Sequence, residues 1–137
     1  MPLTSLERAK QQYLEQQVAS ASPERLLTLL YDRLLVDIDR AGAAQDVEDW
    51  AAAGTHLTHA QQIVAELSGS LTDAWDGAAD LRAVYTYVTG RLITANIARD
   101  RLATAECREL VAPLREAWHQ AAAVTSAAAP APASALG

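Results

Sequence analysis

The sequence predicts an all-α protein: an antiparallel up-and-down four-helix bundle with a short N-terminal helical arm and a disordered C-terminal tail. Three observations predict it. Apolar residues recur at three- and four-residue spacing in four successive stretches. The composition is rich in alanine, lacks phenylalanine and is sparse in β-branched residues, which favours helix over sheet. The connections between the four stretches are short, which makes sequential helices antiparallel neighbours. A chain of 137 residues is one domain by length and can bury roughly two thirds of its unfolded surface.

Residues 1–22 read as the arm. Residues 4–17 form a short polar helix with Leu6, Tyr13 and Leu14 as anchors, and small residues at 19–22 lead into the bundle, 23–122. The first long helix opens at Ser22-Pro23-Glu24. Ser22 accepts from a free amide of the first turn, Pro23 has no amide to leave unpaired, and Glu24 favours the positive end of the helix dipole. Its stripe is Leu27, Leu30, Tyr31, Leu34, Ile38 and Ala41, and Gly42 is expected to end it. Asp46 is the expected N-cap of the second helix, with Asp49 in its first turn. That helix carries Trp50, Ala53, Leu57, Ala60, Val64, Leu67 and Leu71, and Gly54 within it permits a close helix crossing. A loop through Ser68-Gly69-Ser70 and Asp76-Gly77 leads to the third helix, Ala79 to Ala98, with Leu81, Val84, Tyr85, Val88, Leu92 and Ala95 inward. The fourth, Arg101 to Ala122, carries Ala103, Cys107, Leu110, Leu114 and Trp118, with a kink expected at Pro113. Residues 123–137 are uncharged and rich in Ala, Pro and Ser, the composition of a disordered tail.

Charge and composition exclude several functions. The net charge is −6 and no basic patch is present, so nucleic acid is not an expected partner. No apolar run approaches the ~20 residues of a membrane span. The N-terminus lacks the pattern of a secretory signal, which points to the cytoplasm. Cys107 stands alone and reads as a small helix-face residue.

Three kinds of chemistry use such bundles. A di-metal centre needs two Glu-x-x-His motifs, and this chain has one, Glu116-Ala-Trp-His119, whose alternative is a core Trp118 between two solvent-facing groups. His56 and His59 share a helix face at three-residue spacing. They could hold two corners of a zinc site or simply lie on the surface, and no third ligand announces itself. Histidine phosphotransfer domains present His-x-x-Lys-Gly, whereas His56-Leu-Thr-His59-Ala60 has neither the Lys nor the Gly. No phosphate loop, nucleophile elbow or cysteine cluster is present. The expectation is a protein with no catalytic residues, metal or cofactor. A histidine phosphotransfer bundle or a generic helical adaptor is the alternative to the reading that follows.

Four segments in order resemble the flagellin export chaperones, the FliS family. They are Tyr13 through Asp32, with Ala21-Ser22-Pro23, Leu26 and Leu30-Tyr31-Asp32; His59 through Leu67, followed by Leu71; Tyr85-Thr-Tyr87-Val88, then Arg91-Leu92, Ala95-Asn96 and Asp100; and Leu114-Arg-Glu-Ala-Trp118. The match covers roughly 13–120. It departs at His59 in place of a lysine, at Gly90, at Pro113 and in the Ala/Pro tail. The resemblance implies a cytoplasmic, non-enzymatic chaperone that binds the C-terminal segment of flagellin, prevents premature polymerisation and works with components of the flagellar export gate. A disordered amphipathic segment can fold as its apolar faces enter grooves on a bundle.

The flagellin-binding residues are expected among Tyr13 and Val18 of the arm and Leu26, Leu29, Leu30 and Tyr31 of the first helix. Ile63 and Leu67 of the second helix and Tyr85, Leu92, Ile93 and Asn96 of the third complete the set. Leu26 and Leu29 lie off the face of Leu34 and Ile38, and Ile63 and Ile93 flank their stripes, so these helices carry more apolar arc than a core needs. Tyr31, Tyr85 and Asn96 serve equally well as contacts or as buried packing and capping groups. The arm, with Tyr13 and Val18, could cover the empty groove until flagellin arrives.

Overall fold

The computed structural model describes residues 5–9 and 23–128. Residues 5–9 are helical (α1), and the rest of the arm, including Tyr13 and Val18, lies outside the described residues, as do residues 129–137. Four long helices follow: α2 (Pro23–Asp46), α3 (Trp50–Gly69), α4 (Ala78–Ile97) and α5 (Arg101–Ala128). Each packs on the next, and α5 closes back on α2, which is the up-and-down bundle the periodicity predicts.

The core is built from one stripe per helix. Tyr31, Leu34, Ile38 and Ala41 of α2 meet Leu57, Ala60, Val64 and Leu67 of α3, with Leu81, Tyr85, Val88, Leu92 and Ala95 of α4 and Ala103 and Cys107 of α5. On α5 the observed stripe runs through Thr104 and Val111, while Leu110, Leu114 and Trp118 are half-buried against it. Burial pushes the Cys107 thiol up to about 12, with the Glu106 charge adding to the effect, so it stays a protonated packing group. A buried polar chain also ties the core: Gln45 donates to the Ala95 carbonyl at 3.2 Å and accepts from the Thr104 hydroxyl at 2.7 Å. One side chain thereby joins α2 to both α4 and α5 with its polar atoms satisfied.

Several boundaries differ from those expected, and α3 takes in Ser68 and Gly69 of the expected loop. Gly42 does not end α2, which continues to Asp46. A Cβ at Gly42 would lie 2.8 Å from the Arg101 guanidinium carbon, so the glycine makes room for a side chain crossing from α5. Asp46 accordingly is not a cap but Arg101's partner, at 2.8 Å. The cap of α3 is Asp49, whose carboxylate accepts from the Ala52 amide. Asp100 does the same for α5, accepting from Leu102 and Ala103. Each Asp follows a residue in the left-handed region, Glu48 (φ 59°) and Arg99 (φ 52°), and Arg99 lies over the Trp50 ring at 5.1 Å. The ends of α4 sit one residue earlier than expected.

A last difference lies in α5. Helix α5 runs through Pro113 as one element and extends six residues past Ala122. Pro113 is exposed, so water can satisfy the carbonyl that loses its donor. The alanine-rich sequence beyond 122 carries no stop signal until Pro130, and alanine has the strongest intrinsic helix preference. The part of the predicted tail at 123–128 is therefore helix.

Candidate client-binding surface

With 100° between successive residues, α2 presents more than its core arc. Leu29, Val36 and Ala43 fall in a line on the outer side, and the first two are 40% and 39% exposed. Leu26, Leu30, Arg33 and Asp37 form the next row, and Asp37 meets His59 of α3, so this row borders the α2/α3 seam. Leu26 is 40% exposed and Leu30 half-buried. On α4, Ile93 and Ile97 stand outside the bundle.

The expected contact residues thus divide. Leu26, Leu29 and Ile93 are on the surface, and Leu30 straddles the boundary. Tyr31, Leu67 and Leu92 are fully buried, and Tyr85 is nearly so. The Tyr31 and Tyr85 hydroxyls bond one another at 2.5 Å, beside Trp118. Ile63 is not an outer position as expected: it is 5% exposed, because the row facing α2 lies under the helix seam. Asn96 is half-buried at the α3/α4 crossing, where a Cβ on Gly54 would come within 3.2 Å of its Oδ1. Gly54 therefore serves the close crossing predicted for it.

The histidines are engaged in structure. Asp37 is fully buried; His59 Nδ1 contacts its Oδ2, Arg33 lies at 3.5 Å, and His56 Nδ1 is 3.8 Å from Oδ1, which has no hydrogen-bond partner. His59 is held against the Asp37 carboxylate through Nδ1, with its ring 42% exposed. Among the described residues no His, Cys, Asp and Glu group is arranged to hold a metal ion. His119 does not simply face water. Its Nε2 lies 2.6 Å from Asp32, beside Arg115 at the same distance.

Sequence reasoning missed an ion-pair ladder between α2 and α5. Asp32, Asp39 and Asp46 are seven residues apart, and they pair with Arg115, Arg108 and Arg101, also seven apart and in reverse order. Seven residues are two helical turns, so each rung returns to the same seam. The signal was present as two matched spacings. Burial works against ionisation of Asp32, but the bonds and charges of His119 and Arg115 outweigh it and hold its pKa below 3.8. A carboxyl depressed in the fold contributes stability above its unfolded value and loses it as pH falls through the folded one. Asp32→Asn is expected to flatten the unfolding free energy below about pH 4, by no more than ~1 kcal/mol because the pair is over a third exposed. Urea titrations of both proteins from pH 5 to pH 2.5 check this; parallel curves would refute it.

The structure is an up-and-down four-helix bundle with a completed core and aliphatic side chains left exposed on α2 and α4. The family described as flagellar protein FliS matches residues 6–125, and the chain belongs to it, among the flagellar secretion chaperones. It is 34% identical over 109 residues to the flagellar secretion chaperone FliS of Bacillus subtilis (strain 168), covering 80% of this chain and 82% of that one. It is 33% identical over 110 residues to the protein of the same description from Salmonella typhimurium, covering 78% and 82%. A crystal structure of a bacterial flagellar chaperone superposes with a TM-score of 0.67 at 16% identity, over 83% of this chain and 94% of that one, a likeness of fold. No helix among the described residues is long and apolar enough to cross a membrane.

Proposed function

We propose that this chain binds the C-terminal segment of flagellin in the cytoplasm, keeps it from polymerising before export, and presents it to components of the export gate, without catalysis. The observation that carries this reading is the pair of surplus apolar rows, Leu26, Leu29 and Val36 on α2 and Ile93 and Ile97 on α4, on a bundle whose interior is already filled. Leu26, Leu29, Leu30 and Ile93 make direct contact, with Asn96 at their edge and Tyr13 and Val18 contributed by the arm. Tyr31, Ile63, Leu67, Tyr85 and Leu92 act from beneath by setting the shape of the surface.

An incoming segment that folds on these rows gains about 25 cal/mol for each Å² of apolar area buried, less the cost of ordering it. Calorimetric titration with a peptide spanning the C-terminal segment of the organism's own flagellin tests the proposal. A one-to-one isotherm with gained helicity by circular dichroism is expected. Absence of binding at high micromolar concentration would sink it, and equal affinity for an unrelated amphipathic helix would replace it with a generic adaptor.

A further inference from the structure

We propose that the bound client anchors itself by inserting one bulky apolar side chain, of phenyl or isobutyl size, into a cavity at the end of the bundle where α3 gives way to the 70–77 loop. The inference rests on the flagellin reading and adds to it a single deep contact. The cavity has a volume of about 210 Å³. An apolar cavity of ~150 Å³ in another protein already accommodates benzene, so a phenyl or isobutyl group fits here.

The lining selects for an apolar guest. Buried Leu67, Leu81 and Tyr85 form the floor, half-buried Leu27 and Trp118 stand with Trp75 as walls, and exposed Ser70 lies at the mouth. The Tyr85 hydroxyl is already bonded to Tyr31, so the floor offers no polar group in need of a partner. Trp75 is 50% exposed, an unusual state for so large an apolar ring in a folded loop. Its placement is specified by its neighbours. The indole lies where a Cβ on Gly77 would be 2.7 Å away, and its centroid is 6.4 Å from that of Trp118. Glycine at 77 thus lets the loop hold an aromatic wall beside the cavity. Leu27 is the residue next to Leu26, so a chain docked along the α2 row reaches the mouth without leaving the surface.

The test uses the full-length chain carrying Trp50→Phe, which leaves Trp75 and Trp118 as reporters, titrated with the flagellin C-terminal peptide. Binding is expected to shift tryptophan emission to the blue. Ser70→Phe, which plugs the mouth, and Gly77→Ala, which displaces Trp75, are each expected to weaken the peptide at least tenfold with the melting temperature nearly unchanged. Alanine replacement of one bulky apolar residue of the peptide is expected to cost tenfold against the unplugged chain and little against Ser70→Phe. Unmoved emission together with affinities within twofold for both variants would overturn the anchor while leaving the flagellin reading intact. Failure of the unplugged chain to bind the peptide at all would overturn both.

Discussion

Ile63→Asp is expected to unfold the bundle, whereas Leu29→Asp leaves it folded and unable to hold flagellin well. Both replace an aliphatic residue outside the main stripe of its helix, and the sequence alone treats them alike. Ile63 is 5% exposed and joined to the core, so an aspartate there is a charge without a partner in an apolar seam. Such substitutions cost upwards of ~4 kcal/mol, a large share of the ~5–15 kcal/mol that stabilises a domain. Leu29 is 40% exposed on the outer side of α2, and its aspartate stays in water. Its effect on stability is expected within about 0.5 kcal/mol, and its effect on peptide affinity at tenfold or more, ~1.4 kcal/mol. Thermal melts and calorimetric titrations of the two variants check the pair. A cooperative melt of Ile63→Asp at the unmodified temperature would contradict the packing of the α2/α3 seam; an unchanged affinity for Leu29→Asp would remove the outer row of α2 from the binding surface.

His59→Ala is expected to cost about 1–3 kcal/mol, the range for leaving a buried acceptor without its partner, and toward its lower end because the ring is 42% exposed. What remains is an Asp37 with no exposed surface, an unpartnered Oδ1, and only Arg33 at 3.5 Å and His56 at 3.8 Å. The carboxylate left behind, more than the lost contact, sets the size of the effect. Adding Asp37→Asn is therefore expected to recover part of the loss. A double-mutant cycle in urea measures this. Additive losses would show that the two side chains do not act on one another.

The stripes of α2, α3 and α4 were legible because their three- and four-residue periodicity is regular, and because bulky residues such as Tyr31, Leu34, Leu57 and Leu92 fall on it. Misreadings cluster where a distant helix decides. Gly42 carries the signal of a helix stop, yet Arg101 arriving from α5 gives the missing side chain a packing role inside the helix. Asp46 and Asp49 are equally good caps by residue type, and the same arginine claims the first. On α5 the expected stripe drifted toward Leu110 and Leu114, because Thr104 is polar and its burial depends on Gln45 of another helix. Nothing in α2 alone marks Asp37 as buried; two histidines of α3 lie beside it. Of the candidate surface, the excess of aliphatic residues was visible in α2 and α4, but which of them the neighbouring helix covers was not, as Ile63 shows.

The aspartate–arginine rungs between α2 and α5 bear on how a helical client must be received. A foreign helix that tried to take the place of α5 would have to carry a cation every two turns, in reverse sequence, or forgo three solvent-exposed rungs worth up to ~1 kcal/mol each. Sliding α5 itself to the next rung requires a shift of seven residues, about 10 Å along the axis. The rungs therefore act as a register mark, favouring one alignment of α5 on α2 over its neighbours even where the apolar stripes alone would tolerate a slip.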